Sequence, residues 1–250
     1  MKYTPQDIAK LGTILGIWAH PDDEAWTTAG ILAAGRQNNQ RVVVVTATRG
    51  ESGKTADESR WPQANLREIR TKELEASLAT LGVIEHHWLN YPDGTLSDQN
   101  QSEAAEKIAD IIRELDPNTI FTFCQDGLTG HEDHKAVCQW TIEAARIAGS
   151  PAKLFGAIEA TEKYQAISQD CSKLLKHVYF NTDKPKTIPM AQTDLCFALP
   201  QDLQVLKRMS LQCQASQTAQ LFENHGGQTF IYEQIACECF IQLNEVPKSS

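Results

Sequence analysis

Two short stretches of this 250-residue chain gather the residue types that metal and proton chemistry need. They are His20-Pro21-Asp22-Asp23-Glu24 near the start and Gly130-His131-Glu132-Asp133-His134 in the middle. Each has an ordinary explanation when taken alone. Asp22 or Asp23 would cap a helix beginning near Ala25, the other acids would complement its dipole, and His20 would be a structural side chain at a strand end. The second stretch would likewise be an acidic helix start with two incidental histidines. Three adjacent carboxylates nevertheless repel one another unless a helix N-terminus or a cation stabilises them.

Taken together the stretches imply more. Both follow apolar, strand-like runs, and in an open α/β sheet the segments leaving the carboxyl ends of the strands surround the ligand crevice. His20, Asp23 and His134 would then come within reach of one divalent cation. Two imidazoles and a carboxylate with one open position form the donor set of a catalytic Zn2+ site, although iron or cobalt accept the same ligands. Adjacent acids in an extended turn point different ways, so Asp23 would face the ion while Asp22 takes a proton from the attacking water as general base. His131 would aim at the oxyanion or the departing amine, and Asp133 would orient a histidine by hydrogen bonding. The reaction class that follows is hydrolysis of an amide or ester through a tetrahedral intermediate.

The elements that must position these residues follow from hydrophobic patterning. Residues 13–18 form a short apolar run and 41–48 are rich in β-branched residues, as in strands buried on both faces of a parallel sheet. Helical spacing over 25–38 completes a β-α-β unit with a right-handed crossover. The alternation continues with a helix over 65–81, a strand over 86–90, a helix over 101–115, a strand over 118–124 and a helix over 133–148. Beyond residue 150 the rhythm loosens, with strands expected at 154–160, 177–181, 194–199 and 234–243 and a helix at 200–217. This pattern predicts a three-layer α/β fold, a mostly parallel sheet with helices on both faces and an irregular C-terminal part. One domain over 1–250 is expected, its core at about 13–150 and its remainder shaping the substrate pocket.

Composition narrows the partners. The chain is 41% hydrophobic and 22% charged, an ordinary globular balance, and carries a formal charge of −9 with no Lys/Arg-rich run. That argues against nucleic acid or an anionic membrane surface and favours a small molecule. The apolar stretch near the N-terminus is too short for export or membrane insertion, so a cytoplasmic location is expected. Seven scattered cysteines without C-x-x-C spacing are expected to be buried and reduced, with Cys237 and Cys239 facing one side of a strand as core residues.

The pairing of A-H-P-D-D-E (19–24) with G-H-x-D-H (130–134) resembles the signature of the LmbE-like, or PIG-L, zinc-dependent N-acetylglucosaminyl deacetylases. T-R-G-E-S-G at 48–53, the helical stretch 70–83 and Y-P-D-G at 91–94 are also similar to that family's, so the resemblance covers about residues 13–150. It implies a Rossmann-like fold, zinc ligands at His20, Asp23 and His134, a general base at Asp22 and a transition-state histidine at His131. It further implies sugar contacts from Arg70, Asp93 and Thr27, and a small amino-sugar conjugate as substrate. The chain departs from the family pattern at Gln214, which stands at the expected substrate wall where many relatives have histidine, and at Trp26, where smaller apolar residues are common.

Plainer and rival readings stand beside these. Arg70 and Glu73 would also suit a solvated helix face, and Asp93-Gly94 a simple turn. The substrate of the same chemistry would alternatively be a thiol conjugate or another biosynthetic amide. A nucleotide-binding oxidoreductase is disfavoured because acids occupy the first β-α turn where a pyrophosphate needs glycine-rich backbone amides. A non-catalytic metal-binding protein is likewise disfavoured, whereas a homo-oligomer is compatible with the sequence.

Overall fold

The computed structural model describes residues 2–170, 179, 185–223 and 225–243. Its main sheet contains β1 (Lys2–Tyr3), β2 (Ile14–Trp18), β3 (Val42–Thr46), β4 (Glu85–Trp88), β5 (Thr119–Phe123), β6 (Lys153–Ala157), β9 (Leu195–Ala198) and β10 (Cys237–Gln242). The spatial order is β1-β9-β10-β6-β5-β2-β3-β4. Only β10 runs against its neighbours, β6 and β9. Two further short strands, β7 (Glu159–Ala160) and β8 (Thr187–Ile188), pair separately.

The central strands are buried along their whole length, as their unbroken apolar and β-branched runs require. Helices α1 (Pro5–Ile8), α2 (Asp23–Thr27), α3 (Ala29–Gln37), α4 (Leu66–Thr80), α5 (Gln101–Leu115), α6 (Gly127–Gly130), α7 (Glu132–Ala148) and α8 (Thr161–Asp170) cover the sheet with the C-terminal helices Gln201–Cys213, Ala215–Glu223 and His225–Ala236. α5 packs against α7, and Gln201–Cys213 packs on α3 and α4. Asn100 caps α5 by accepting the N–H groups of Ser102 and Glu103.

Chain order explains why the two motifs meet. From β2 the chain moves outward to β3 and β4, then returns to β5 on the opposite side of β2. Strand order therefore reverses between β2 and β5, and the loops leaving their carboxyl ends diverge around a crevice. His20 leaves β2 at this point, and His131 and His134 follow β5.

Four expectations change. The helix over 25–38 is divided at Thr28, whose hydroxyl donates to Glu24 O at 3.2 Å. The break exposes the N–H groups of Gly30 and Ile31, and both donate to the Glu238 carboxylate of β10, at 2.8 and 2.9 Å. The helix over 200–217 breaks at Gln214, and the first residues of the strand over 234–243 belong instead to the helix ending at Ala236. Cys196 and Cys239, expected as thiols, are joined in a disulfide because β9 and β10 place them directly opposite each other. Cys124, Cys138, Cys213 and Cys237 are free. The strand expected at 177–181 lies outside the described residues except for Tyr179. Among described residues, no helix is long and apolar enough to cross a membrane.

The Glu238 carboxylate that caps α3 is neutralised by Lys207, 2.8 Å away, and both side chains are fully buried. Lys207 also donates to Trp26 O at 2.8 Å. Removing one member strands the other's charge in the interior, which costs about 3–5 kcal/mol. Lys207→Met is therefore expected to lower the unfolding free energy by about that amount in urea titration; a loss below about 1 kcal/mol would show that the pair does not hold the α3 cap.

Candidate metal centre

The chain leaving β2 must reverse into α2 within a few residues. It does so with Asp22 in the left-handed region, φ 96° and ψ −27°. Such a conformation costs a non-glycine residue about 1–3 kcal/mol and persists only where its surroundings enforce it. Arg70 of α4 supplies part of that enforcement, donating to Pro21 O at 2.5 Å and Gly50 O at 2.9 Å while standing 3.4 Å from the Asp22 carboxylate. Glu24 supplies the rest by accepting the Asp22 N–H at 3.1 Å. Its second oxygen accepts from Ser77 at 2.7 Å and Gln214 at 3.3 Å. The Asp22 side chain makes no capping hydrogen bond to α2. Asp23 turns back instead to accept the His20 N–H at 2.7 Å.

The two sequence motifs come together across the crevice. His20 Nδ1 lies 3.2 Å from His134 Nε2 and 3.5 Å from Asp23 Oδ2, and His134 Nε2 lies 3.3 Å from Asp23 Oδ1. The opposite ring nitrogens face acceptors. His20 Nε2 is 3.0 Å from Asp93 Oδ1 and 3.2 Å from Asp133 Oδ2, and His134 Nδ1 is 3.0 Å from Gly127 O. In neutral rings those acceptors hold the protons on the outer nitrogens and leave the inner lone pairs facing one another and Asp23. This mixed nitrogen and oxygen set fits a divalent ion such as Zn2+.

His20 Nε2, Asp93 and Asp133 are also close enough together to hold an ion. Those carboxylates are already engaged, however. Asp93 Oδ2 accepts Ser52 N–H at 2.7 Å, and Asp133 accepts Gly94 N–H at 2.8 Å and Leu96 N–H at 3.0 Å. They serve here as hydrogen-bonded supports that orient His20.

The charge balance favours a cation. Burial opposes ionisation of His20, but hydrogen bonds to Asp133, Asp23 and Asp93 outweigh it and raise its pKa well above the usual histidine value. The carboxylates on both sides of the ring give the crevice a negative field, which favours a bound cation. The adjacent acids are driven apart. Burial carries Asp22 up to about 7 against the opposing charge of Arg70. Asp23 feels the same burial, but the charges of His134 and His20 and hydrogen bonds from His20 overcome it and bring it down to about 2. Burial lowers His134 to about 4 and also lowers His131, helped by the charge of His20.

His131 stands at the N-cap of α7, where its Nδ1 accepts the Asp133 N–H at 3.1 Å. That bond places the proton of the neutral ring on Nε2. Its ring stacks on His134 with centroids 4.9 Å apart.

A cleft of about 860 Å3 opens over this cluster and is lined by His20, Asp22, Asp23, Thr27, Arg70, Asp93, His131 and His134. The structure thus gathers the expected site residues there, except that Asp133 lies behind His20 at 1% exposure. Arg70 and Glu73 are buried, which overturns the solvated-face alternative; Glu73 accepts from Ser216 N–H at 2.7 Å and Ser216 Oγ at 2.6 Å. Thr27 donates its hydroxyl to Asp23 O. Gln214, expected at the substrate wall, is instead fully buried behind the cleft on Glu24, because the helix break turns it inward, and Gln217 lines the cleft. Trp26 does line it, edge-on to Phe230. Sequence reasoning missed the far wall, including Glu159, Lys163 and Gln234, because these residues occur singly and form no motif.

Comparisons with known proteins agree with the fold and the motifs. The 1D-myo-inositol 2-acetamido-2-deoxy-alpha-D-glucopyranoside deacetylase of Thermobifida fusca is 31% identical over 240 residues, covering 82% of this chain and 83% of the relative. The chain spans about half the length of the first curated relatives it matches, 45% and 54%. The N,N'-diacetylchitobiose deacetylase of Pyrococcus horikoshii superposes with a TM-score of 0.65 at 22% identity, covering 99% of this chain and 91% of the other. The 4-carboxy-2-hydroxymuconate hydratase GalB of Pseudomonas putida superposes with a TM-score of 0.67 at 15% identity, covering 96% and 99%. Likeness at these identities describes the fold, which carries more than one chemistry. The family described as PIG-L, GlcNAc-PI de-N-acetylase, matches residues 15–145, more than half of the chain and both motif loops, and the protein belongs to that family.

Proposed function

We propose that this protein is a metal-dependent deacetylase that hydrolyses the N-acetyl group of a small N-acetylglucosamine conjugate. The observation that carries the reading is the convergence of His20 Nδ1, Asp23 and His134 Nε2, with Asp22 beside them at the floor of a ligand-sized cleft. Family membership and the inositol amino-sugar deacetylase named in T. fusca support the substrate class.

His20, Asp23 and His134 would hold the ion. Zn2+ at this position supplies Lewis acidity to an amide carbonyl and to the attacking water. Asp22, set apart from Asp23 by its strained turn, removes the proton from the attacking water. Arg70 fixes the turn and keeps the Asp22 carboxylate aimed into the cleft. His131, neutral with its proton on Nε2, donates to the oxygen that gains charge as the tetrahedral centre forms. Asp133 and Asp93 hold His20 in register, and Asp133 fastens the loop after β4 to the same support through Gly94 and Leu96. Trp26 and Phe230 offer an apolar surface to the less polar face of a sugar ring.

Asp22→Asn keeps the side-chain volume but removes the base. It is expected to lower kcat for free-amine release from N-acetylglucosamine conjugates by about 10²–10⁴-fold. Metal content measured by mass spectrometry should stay unchanged. Equal loss of metal and turnover would instead make Asp22 a ligand.

The base must be ionised to act, so kcat/KM should fall as pH drops through the pKa of Asp22. A bound cation favours the carboxylate, placing this acid limb below the value of about 7 to which burial, opposed by the charge of Arg70, raises the group. A pH–rate profile should show the limb in the wild type and lose it in Asp22→Asn. A limb shared by both proteins would assign the titration to another group.

A further inference from the structure

Three sulfur atoms gather where β9 meets β10, and the deacetylation chemistry uses none of them. Cys239 of β10 lies directly opposite Cys196 of β9 and is joined to it. Cys237, two residues earlier on β10, projects from the same face of the strand, and its Sγ lies 3.9 Å from that of Cys239. All three sulfurs fall within 4.8 Å of one another, and all three residues are buried. Cys237 and Cys239 nevertheless line the cleft, which gives a small solute a route to them.

A structural cross-link needs two sulfurs, and the third remains a free thiol beside it. Buried thiols also serve as small apolar side chains, but the surroundings of Cys237 are charged. Lys163 donates to its backbone carbonyl at 3.3 Å. Burial raises the Cys237 pKa; Lys163 and Lys207 oppose that rise more strongly than Glu159 and Glu238 add to it. The lysines therefore favour negative charge at the sulfur, and a bound metal ion is the agent that can displace the thiol proton there.

We propose that Cys196, Cys237 and Cys239, once the Cys196–Cys239 link is reduced, bind one Cu+ ion as a trigonal thiolate site separate from His20, Asp23 and His134. A set of sulfur donors without imidazole selects a soft ion; Cu+ accepts three thiolates, whereas structural Zn2+ takes four ligands. Three sulfurs sharing an ion at ~2.3 Å in one plane stand ~4.0 Å apart. That spacing is already present between Cys237 and Cys239, so binding requires chiefly that the Cys196 and Cys239 sulfurs separate. A dithiol supplies the two electrons and two protons of reduction and itself becomes a disulfide. Cu+ then displaces the three thiol protons to solvent and keeps its oxidation state. The cross-link withholds two of the three donors, so thiol redox state governs occupancy. The site stands whether or not the protein hydrolyses an amino sugar.

The test titrates the zinc-loaded protein with Cu+ under anaerobic conditions against a chromogenic chelator, both with the link intact and after reduction by dithiothreitol and its removal. The reduced protein should bind one Cu+ at least about 100-fold more tightly than the linked protein. X-ray absorption at the copper edge should show three sulfur neighbours and no nitrogen. Cys237→Ser and Cys196→Ser should each weaken binding by about 10-fold or more in the reduced protein. Equal affinity before and after reduction, affinity unchanged in both variants, or a copper shell containing histidine nitrogen or fewer than three sulfurs would overturn the site. The wild-type spectrum decides the matter even if a variant fails to fold.

Discussion

Buried carboxylates packed around His20 are the constraint to which the rest of the site responds. Asp23 approaches one ring nitrogen, while Asp93 and Asp133 approach the other. Isolated anions in an interior are unfavourable, and this arrangement is tolerable only with positive charge and directed hydrogen bonds among them. The protein supplies part of the compensation from backbone N–H groups of Ser52, Gly94 and Leu96. Arg70 supplies more at Asp22, and a divalent cation between the two histidines would supply the remainder.

The fold makes this crowding possible by bringing loops from separate strands to one reversal of strand order. The β2 loop brings His20 with Asp22 and Asp23, and the β5 loop leads to His131 and His134. The β4 loop brings Asp93, fastened to the β3 loop by Ser52 N–H. Buried side chains behind the loops fix their orientation. Glu24 restrains the Asp22 turn while contacting Ser77 and Gln214, and Glu238 caps the helix that follows. A change in the C-terminal helices can therefore reach the proposed base through packing without touching substrate.

The central strands β2, β3 and β5 and the helices α4, α5 and α7 were legible because their burial follows continuous apolar runs or helical periodicity. The residues meeting at the crevice were legible because histidine beside acid occurs in two motifs and the α/β pattern places both at strand ends. Other features depend on distant partners. The division at Thr28 accompanies a cap from Glu238, and the Cys196–Cys239 link depends on the pairing of β9 with β10. Arg70 has a spacing that also suits a solvent-facing helix position, and only the folded chain reveals that it holds Pro21 and Gly50. Glu159 and Lys163 carry no motif, so their relation to the cleft emerges from tertiary packing.

The proposed ligand set hinges on which nitrogen of His20 faces the ion, because Nδ1 adjoins Asp23 and His134 while Nε2 adjoins Asp93 and Asp133. Anomalous diffraction from crystals grown with stoichiometric Zn2+ separates the two directly. The proposal predicts one peak about 2.0–2.2 Å from His20 Nδ1, an Asp23 oxygen and His134 Nε2. A peak on the Nε2 side, bound by Asp93 and Asp133, or no zinc at this cluster would contradict it.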